Sequence, residues 1–135
     1  MLAVKPVPDM RLAEGLCELT GIPYDTSAFT YFAADVNEDD TAINHIIGVC
    51  TFTMRGGVNR IEYLKQADGI DDAEAMIIMA RTVMNFMYRC EAESVTVNES
   101  GVDADMIKKL GFKEKGGEYV IDLKKFYISP CKYNG

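Results

Sequence analysis

The residue order predicts an α+β protein built on a single mixed sheet, its elements running β-α-β-β-β-α-β-α-β-β around a buried central helix. Three observations lead there. Strand-like stretches rich in β-branched and aromatic residues alternate with turn residues along the whole chain. Two of the breaks are glycine pairs, Gly56-Gly57 and Gly116-Gly117, which close antiparallel hairpins. One long segment, Asp72 to Arg89, is apolar on two helical faces and stands between strand patterns. Such a helix predicts a crossover between two parallel strands, because both of its faces need cover.

Leu2 to Val7 is extended, with Pro6 and Pro8 keeping it out of a helix. Asp9 stands as the N-cap of a first helix whose Met10, Ala13, Leu16, Cys17 and Thr20 recur at helical spacing; Gly21 and Pro23 end it. Tyr24 to Ser27 reads as loop, Phe29 to Val36 as strand, and Asn37 to Asp40 as a polar turn. Ile43 to Met54 is a long apolar strand, broken at Arg55-Gly56-Gly57 and resumed from Val58 to Lys65. In the central helix Ala73, Met76, Ile77, Ala80, Val83, Met84 and Met87 mark one face, and Ala75, Ile78, Met79 and Phe86 a second. Arg81, Asn85 and Arg89 form the polar stripe between them, read as a solvated edge. The spacing of Asp71 and Glu74 predicts a capping box, Asp71 as N-cap and Glu74 at N3. Ser94 to Asn98 is a short strand, and Asn98 to Gly101 a turn. Asp103 to Leu110 is a short helix closed by Gly111. Phe112 to Lys115 and Glu118 to Leu123 make the second hairpin, and the tail to Gly135 reads as irregular.

At 135 residues, 48% hydrophobic and 26% charged, residues 1–135 make one globular domain. A chain of this size buries roughly two thirds of its unfolded surface, so its core needs neither metal nor crosslink. Lys and Arg number 14 against 21 Asp and Glu, a net charge of −7. Nucleic acid is excluded as a partner on that balance, since its binding rests first on phosphate neutralisation. An amine-bearing partner suits the acidic surface. Cys17, Cys50, Cys90 and Cys131 show no metal-ligand spacing, and His45 is the only histidine; no metal site is expected. The cysteines read as small core residues of a reduced, cytoplasmic protein, with Cys131 the most exposed. No signal segment and no membrane-length apolar run is present.

The order of elements resembles that of the GNAT superfamily of acyl-CoA-dependent N-acyltransferases. Val4 through Leu19 looks like the family's opening strand and first helix. Ile46-Ile47-Gly48-Val49-Cys50-Thr51-Phe52 is similar to its third strand, and Ser94-Val95-Thr96-Val97-Asn98 to its fifth, which ends in Asn. Lys108-Lys109-Leu110-Gly111-Phe112 is similar to its helix-to-strand close. The resemblance spans nearly the whole chain. It implies acetyl-CoA as cosubstrate, a primary amine (small molecule or peptide) as acceptor, and direct attack of the amine on the thioester.

The family's phosphate-binding loop, Gln/Arg-x-x-Gly-x-Gly/Ala, corresponds here to Gln66-Ala67-Asp68-Gly69-Ile70-Asp71. Gln66 and Gly69 match, and Asp71 departs, putting a carboxylate where backbone N–H groups and a helix dipole would meet phosphate. By the resemblance, backbone groups of Tyr63, Leu64 and Lys65 orient the thioester carbonyl, Asn98 belongs to the same coenzyme site, and Glu62 is the general base. Without the resemblance, Glu62 reads as a cross-strand ion-pair partner. Relatives often carry a Tyr as general acid where this chain has Ile107, so that role is empty or filled from elsewhere. Tyr63 and Tyr88 read first as core aromatics, and His45 as a surface residue. Two other readings stand beside the enzyme: a non-catalytic binding or regulatory module of the same fold with a decayed coenzyme A site, and a homodimer packing through residues 126–135.

Overall fold

The computed structural model describes residues 1–127. Its elements are β1 (Leu2–Pro6), α1 (Met10–Thr20), β2 (Phe29–Val36), β3 (Ile43–Arg55), β4 (Val58–Gln66), α2 (Ala73–Arg89), β5 (Ser94–Val97), α3 (Ala104–Leu110), β6 (Lys113–Lys115) and β7 (Glu118–Asp122). The seven strands form one sheet in the order β1-β2-β3-β4-β5-β7-β6. Every neighbouring pair is antiparallel except β4 and β5, the two strands joined through α2. The expected mixed sheet and crossover helix are both present.

The sheet separates two apolar clusters. Met76, Met79, Met84 and Met87 of α2 pack with Phe52, Ile61 and Val95 on one face. Ala13, Leu16 and Cys17 of α1 pack with Phe32, Ala34 and Val49 on the other. Alternation along β3 makes this division: Cys50 and Phe52 face α2, while Val49 faces α1. In α2 the buried side chains come from both predicted faces, although Ile78 stays 42% exposed beside the polar stripe.

The start of α2 differs from the predicted capping box by one residue. Asp72, not Asp71, is the N-cap, and its carboxylate accepts the Ala75 N–H at 3.0 Å. Gln66 supports this cap, its side-chain oxygen taking the Asp72 N–H at 2.6 Å. With Asp72 as N-cap, Glu74 falls at N2 and stays exposed, and Gln66 rather than a Glu at N3 satisfies the N-cap amide. Asp9 does cap α1, accepting from Arg11 N at 2.8 Å and Leu12 N at 3.2 Å.

Three other expectations change. Residues 123–127 form a helical turn rather than irregular tail, begun where Asp122 accepts the Lys125 N–H at 3.1 Å. Leu123 is fully buried, Tyr127 stacks on Tyr88 at 4.7 Å, and the Arg81 guanidinium lies over the Phe126 ring. Phe126 and Tyr127 therefore pack on their own α2; the rest of the predicted dimer tail, with Cys131, lies outside the described residues. Cys90 is exposed, because it follows the last turn of α2, whereas Cys17 and Cys50 are core as expected. Phe112 stands outside β6: its N–H closes α3 by donating to Ile107.

Candidate functional site

β4 and β5 pair only through Arg60–Thr96 and Ile61–Val97. Beyond that point β4 runs on to Gln66 while β5 has ended, and the two open as a wedge. A bulge marks the same place. Thr51 faces Tyr63 and Phe52 faces Ile61, leaving Glu62 as the extra residue of β4. Its backbone is held from the β5 side. Asn98 donates its N–H to the Ile61 carbonyl at 2.9 Å and its side-chain amide to the Glu62 carbonyl at 3.0 Å. The Leu64 N–H donates to the Gly101 carbonyl at 3.1 Å. Gly101 must be glycine, since a Cβ there would overlap the Glu62 carbonyl oxygen.

Consecutive β4 residues line two different cavities. On the α2 side, a cleft of about 640 Å³ is walled by Leu64, Lys65 and Gln66 and by the starts of α2 and α3. Its charged groups are Lys65 and Lys109 against Asp71, Glu99, Asp103 and Asp105, and Lys109 is already paired with Asp105 at 3.1 Å. Leu64, Lys65, Gln66 and Asp71 are thus brought together. Ala67, Asp68, Gly69 and Ile70 are not on this wall; they form a turn closed by the Ile70 N–H on the Ala67 carbonyl, with Gly69 at φ +77.

On the α1 side, Glu62, Tyr63 and Asn98 line a second cavity of about 300 Å³ with Thr51, Tyr24 and Asp25. Tyr63 is half-buried against the α1 cluster, a cavity wall more than a core ring. The Glu62 carboxylate accepts the Thr53 hydroxyl at 2.9 Å and lies 3.4 Å from Arg60 Nε. The ion pair is within one strand rather than across strands, since Arg60 and Glu62 flank Ile61. Arg60 Nε makes no hydrogen bond of good geometry, so Thr53 is the firmer partner.

Asp25 escaped the sequence reading. It accepts the Ser27 hydroxyl at 2.6 Å and the Ser27 N–H at 2.9 Å, and Arg55 reaches both residues. Those two bonds from Ser27, with Arg55 adding attraction, hold the Asp25 carboxyl below the usual carboxylate range. The Asp-x-Ser spacing signalled this turn; nothing local signalled that it walls a cavity with Glu62. Gly101 was equally silent, because its requirement comes from a carbonyl 39 positions away in sequence only after folding.

No family model matches the chain, and no curated protein matches it in sequence. Solved structures match it in shape. An IAA acetyltransferase from Bacillus cereus superposes with a TM-score of 0.65 at 13% identity, covering 90% of this chain and 99% of that one. A dodecameric spermidine N-acetyltransferase from Vibrio cholerae gives 0.63 at 11% identity, over 93% and 96%. The PaiA N-acetyltransferase from Thermoplasma acidophilum, in complex with coenzyme A, gives 0.61 at 11% identity, over 89% and 96%. At such identities the likeness is one of fold, and the fold is that of the GNAT acetyltransferases.

Proposed function

We propose that the chain is an N-acyltransferase that moves an acetyl group from acetyl-CoA to a primary amine by direct attack. One observation carries this reading: residues 62–63 and 64–66 of β4 line separate cavities on opposite faces of the sheet, so donor and acceptor can approach one strand from two sides. Glu62 is the base. Its position in the bulge, with the main chain held by Asn98 and the residue on the wall of the smaller cavity, supports that role. The amine nitrogen forms the new C–N bond, the C–S bond of the thioester breaks, and Glu62 takes the amine proton. Ile107 is buried in α3 and supplies no acid, so the departing thiolate is protonated from solvent.

The larger cleft fits the uncharged arm of the coenzyme better than its phosphates. The Ala73 and Glu74 amides at the start of α2 have no hydrogen-bond partner among the described residues, which suits an anion. Four carboxylates oppose it. One carboxylate about 5 Å from a phosphate costs roughly 0.8 kcal/mol in bulk water and roughly 3 at an effective dielectric near 20. Weak, salt-sensitive binding follows, and Asp71→Asn should tighten it several-fold.

That acidic rim also favours a second reading, a non-catalytic module of the same fold. Calorimetry and thermal melting with acetyl-CoA up to millimolar concentration separate the two. Heat and a raised Tm are expected for the enzyme. Neither effect at millimolar coenzyme would leave only the module. Glu62→Gln should keep coenzyme binding and slow transfer by about 10²-fold or more; equal rates would remove Glu62 as base.

A further inference from the structure

A third cavity, of about 450 Å³, lies at the end of the sheet where β1 stops and β2 begins. Phe29, Tyr31, Phe52 and Phe86 are its aromatic wall. Phe29 stacks on Phe52 at 5.3 Å, while Phe86 meets Phe52 edge-on at 5.9 Å and Tyr31 tilted at 6.1 Å. Tyr31, Phe52 and Phe86 belong to the α2-side cluster, and none of the four rings lines the cavity that holds Glu62. No residue of the wall carries a charge. Phe29 is nonetheless 49% exposed, apolar surface that an occupant would take out of water.

One polar group of that wall has no use in the fold. Tyr31 is only 9% exposed, and its hydroxyl makes no hydrogen bond among the described residues. Nor is it sealed in: among those residues Arg60 Nε is the one fully enclosed side-chain polar atom without a partner, so the Tyr31 hydroxyl is open to the cavity its residue lines. Buried hydroxyls are as a rule satisfied by protein or by water. Burial pushes the Tyr31 phenol above its ordinary value of 10.0, with Cys90 and Cys50 adding to it. At neutral pH the group is therefore an uncharged donor and acceptor.

We infer that this cavity binds an uncharged aromatic compound of one or two rings that carries a hydroxyl or carbonyl group, its ring among Phe29, Phe52 and Phe86 and its oxygen on the Tyr31 hydroxyl. Each part of the ligand follows from the wall. Aromatic rings pair edge-to-face or offset at the spacings the wall already shows, so a flat ring is preferred to a saturated one. A charged compound would shed its water with no opposite charge to meet. An oxygen on the ligand replaces the water that the Tyr31 hydroxyl loses when the cavity fills. The volume lies within the range of small-molecule sites, roughly 300–1,000 Å³. The inference goes beyond acyl transfer and does not rest on it, because no residue of β4 lines this wall.

The test is an NMR titration of the full chain with 4-methylphenol, 4-methylcyclohexanol, the 4-methylbenzoate anion and toluene, following the Phe29, Tyr31 and Phe86 amides. 4-Methylphenol should bind roughly fivefold or more tightly than the saturated alcohol and the anion. Tyr31→Phe keeps the ring and removes only a hydroxyl without a partner, so folding is retained. It should weaken 4-methylphenol by roughly fivefold and leave toluene unmoved. Phe29→Ser, at a half-exposed position, should weaken 4-methylphenol and toluene together. Absence of binding by both ring compounds up to their solubility overturns the inference, as does equal or tighter binding of the saturated alcohol or the anion. So does a Tyr31→Phe protein that binds 4-methylphenol as wild type does, or that loses toluene to the same extent.

Discussion

The two cavities flanking β4 are walled by opposite means. On the α1 side three polar side chains are tied to neighbours: Glu62 to Thr53, Asp25 to Ser27 and Arg55, Asn98 to the Glu62 carbonyl. On the α2 side the helix starts carry exposed carboxylates, and Asp71 has no ion pair among the described residues. The first wall is preorganised, and a ligand there pays little ordering cost. The second is adjustable in charge, so its affinity can change without cost to the fold.

Gly101→Ala breaks the partition both cavities share. The added Cβ collides with the Glu62 carbonyl and sits 2.8 Å from the Tyr63 ring. Backbone cannot yield as a side-chain tip can, so a loss of about 3 kcal/mol is expected. Denaturant unfolding checks it. A change within 0.5 kcal/mol would show that the turn is free to move and the partition soft.

Legibility followed the same divide. Strand and helix patterns, the glycine hairpins and the parallel crossover could all be read, because periodicity and turn chemistry are local. Gln66 came from its match to a loop motif, and Leu64 and Lys65 from the resemblance of the strand that precedes it. What stayed hidden depends on partners distant in sequence. Gln66 takes the Asp72 amide, which accompanies a cap of α2 one residue later than the local spacing predicts. Phe29 and Phe86 read as ordinary strand and helix residues, yet they meet as one cavity wall only when α2 lies across β2.

A paired substitution separates fold from charge on the α2 side. Asp72→Ala removes the N-cap and should lower stability by about 1 kcal/mol. Asp71→Ala, next to it, should change stability by less than about 0.5 kcal/mol, being an exposed residue without a partner. Thermal melting of the two variants gives the contrast. If Asp71→Ala proves the costlier, the predicted capping box is restored and the acidic rim of the cleft is structural.

The smallest expected effect tests whether the α1-side wall is as tied down as its hydrogen bonds imply. The Ser27 hydroxyl is the largest cause of the lowered Asp25 carboxyl, the Ser27 amide the next, and Arg55 a lesser one. A carboxyl depressed in the folded state adds stability above its ordinary value of 3.8 and loses it as pH falls through the lower folded value. Asp25 is exposed, so the gain is slight and the turn, not the fold, should respond. An NMR titration following the Ser27 amide should therefore have its midpoint below that ordinary value. Ser27→Ala should raise the midpoint further than Arg55→Gln does. The reverse ranking would make Arg55, whose reach is long and screened by salt, the real tether of the 24–28 loop. In that case the preorganised wall would loosen with ionic strength, and the contrast between the two cavities would hold only at low salt.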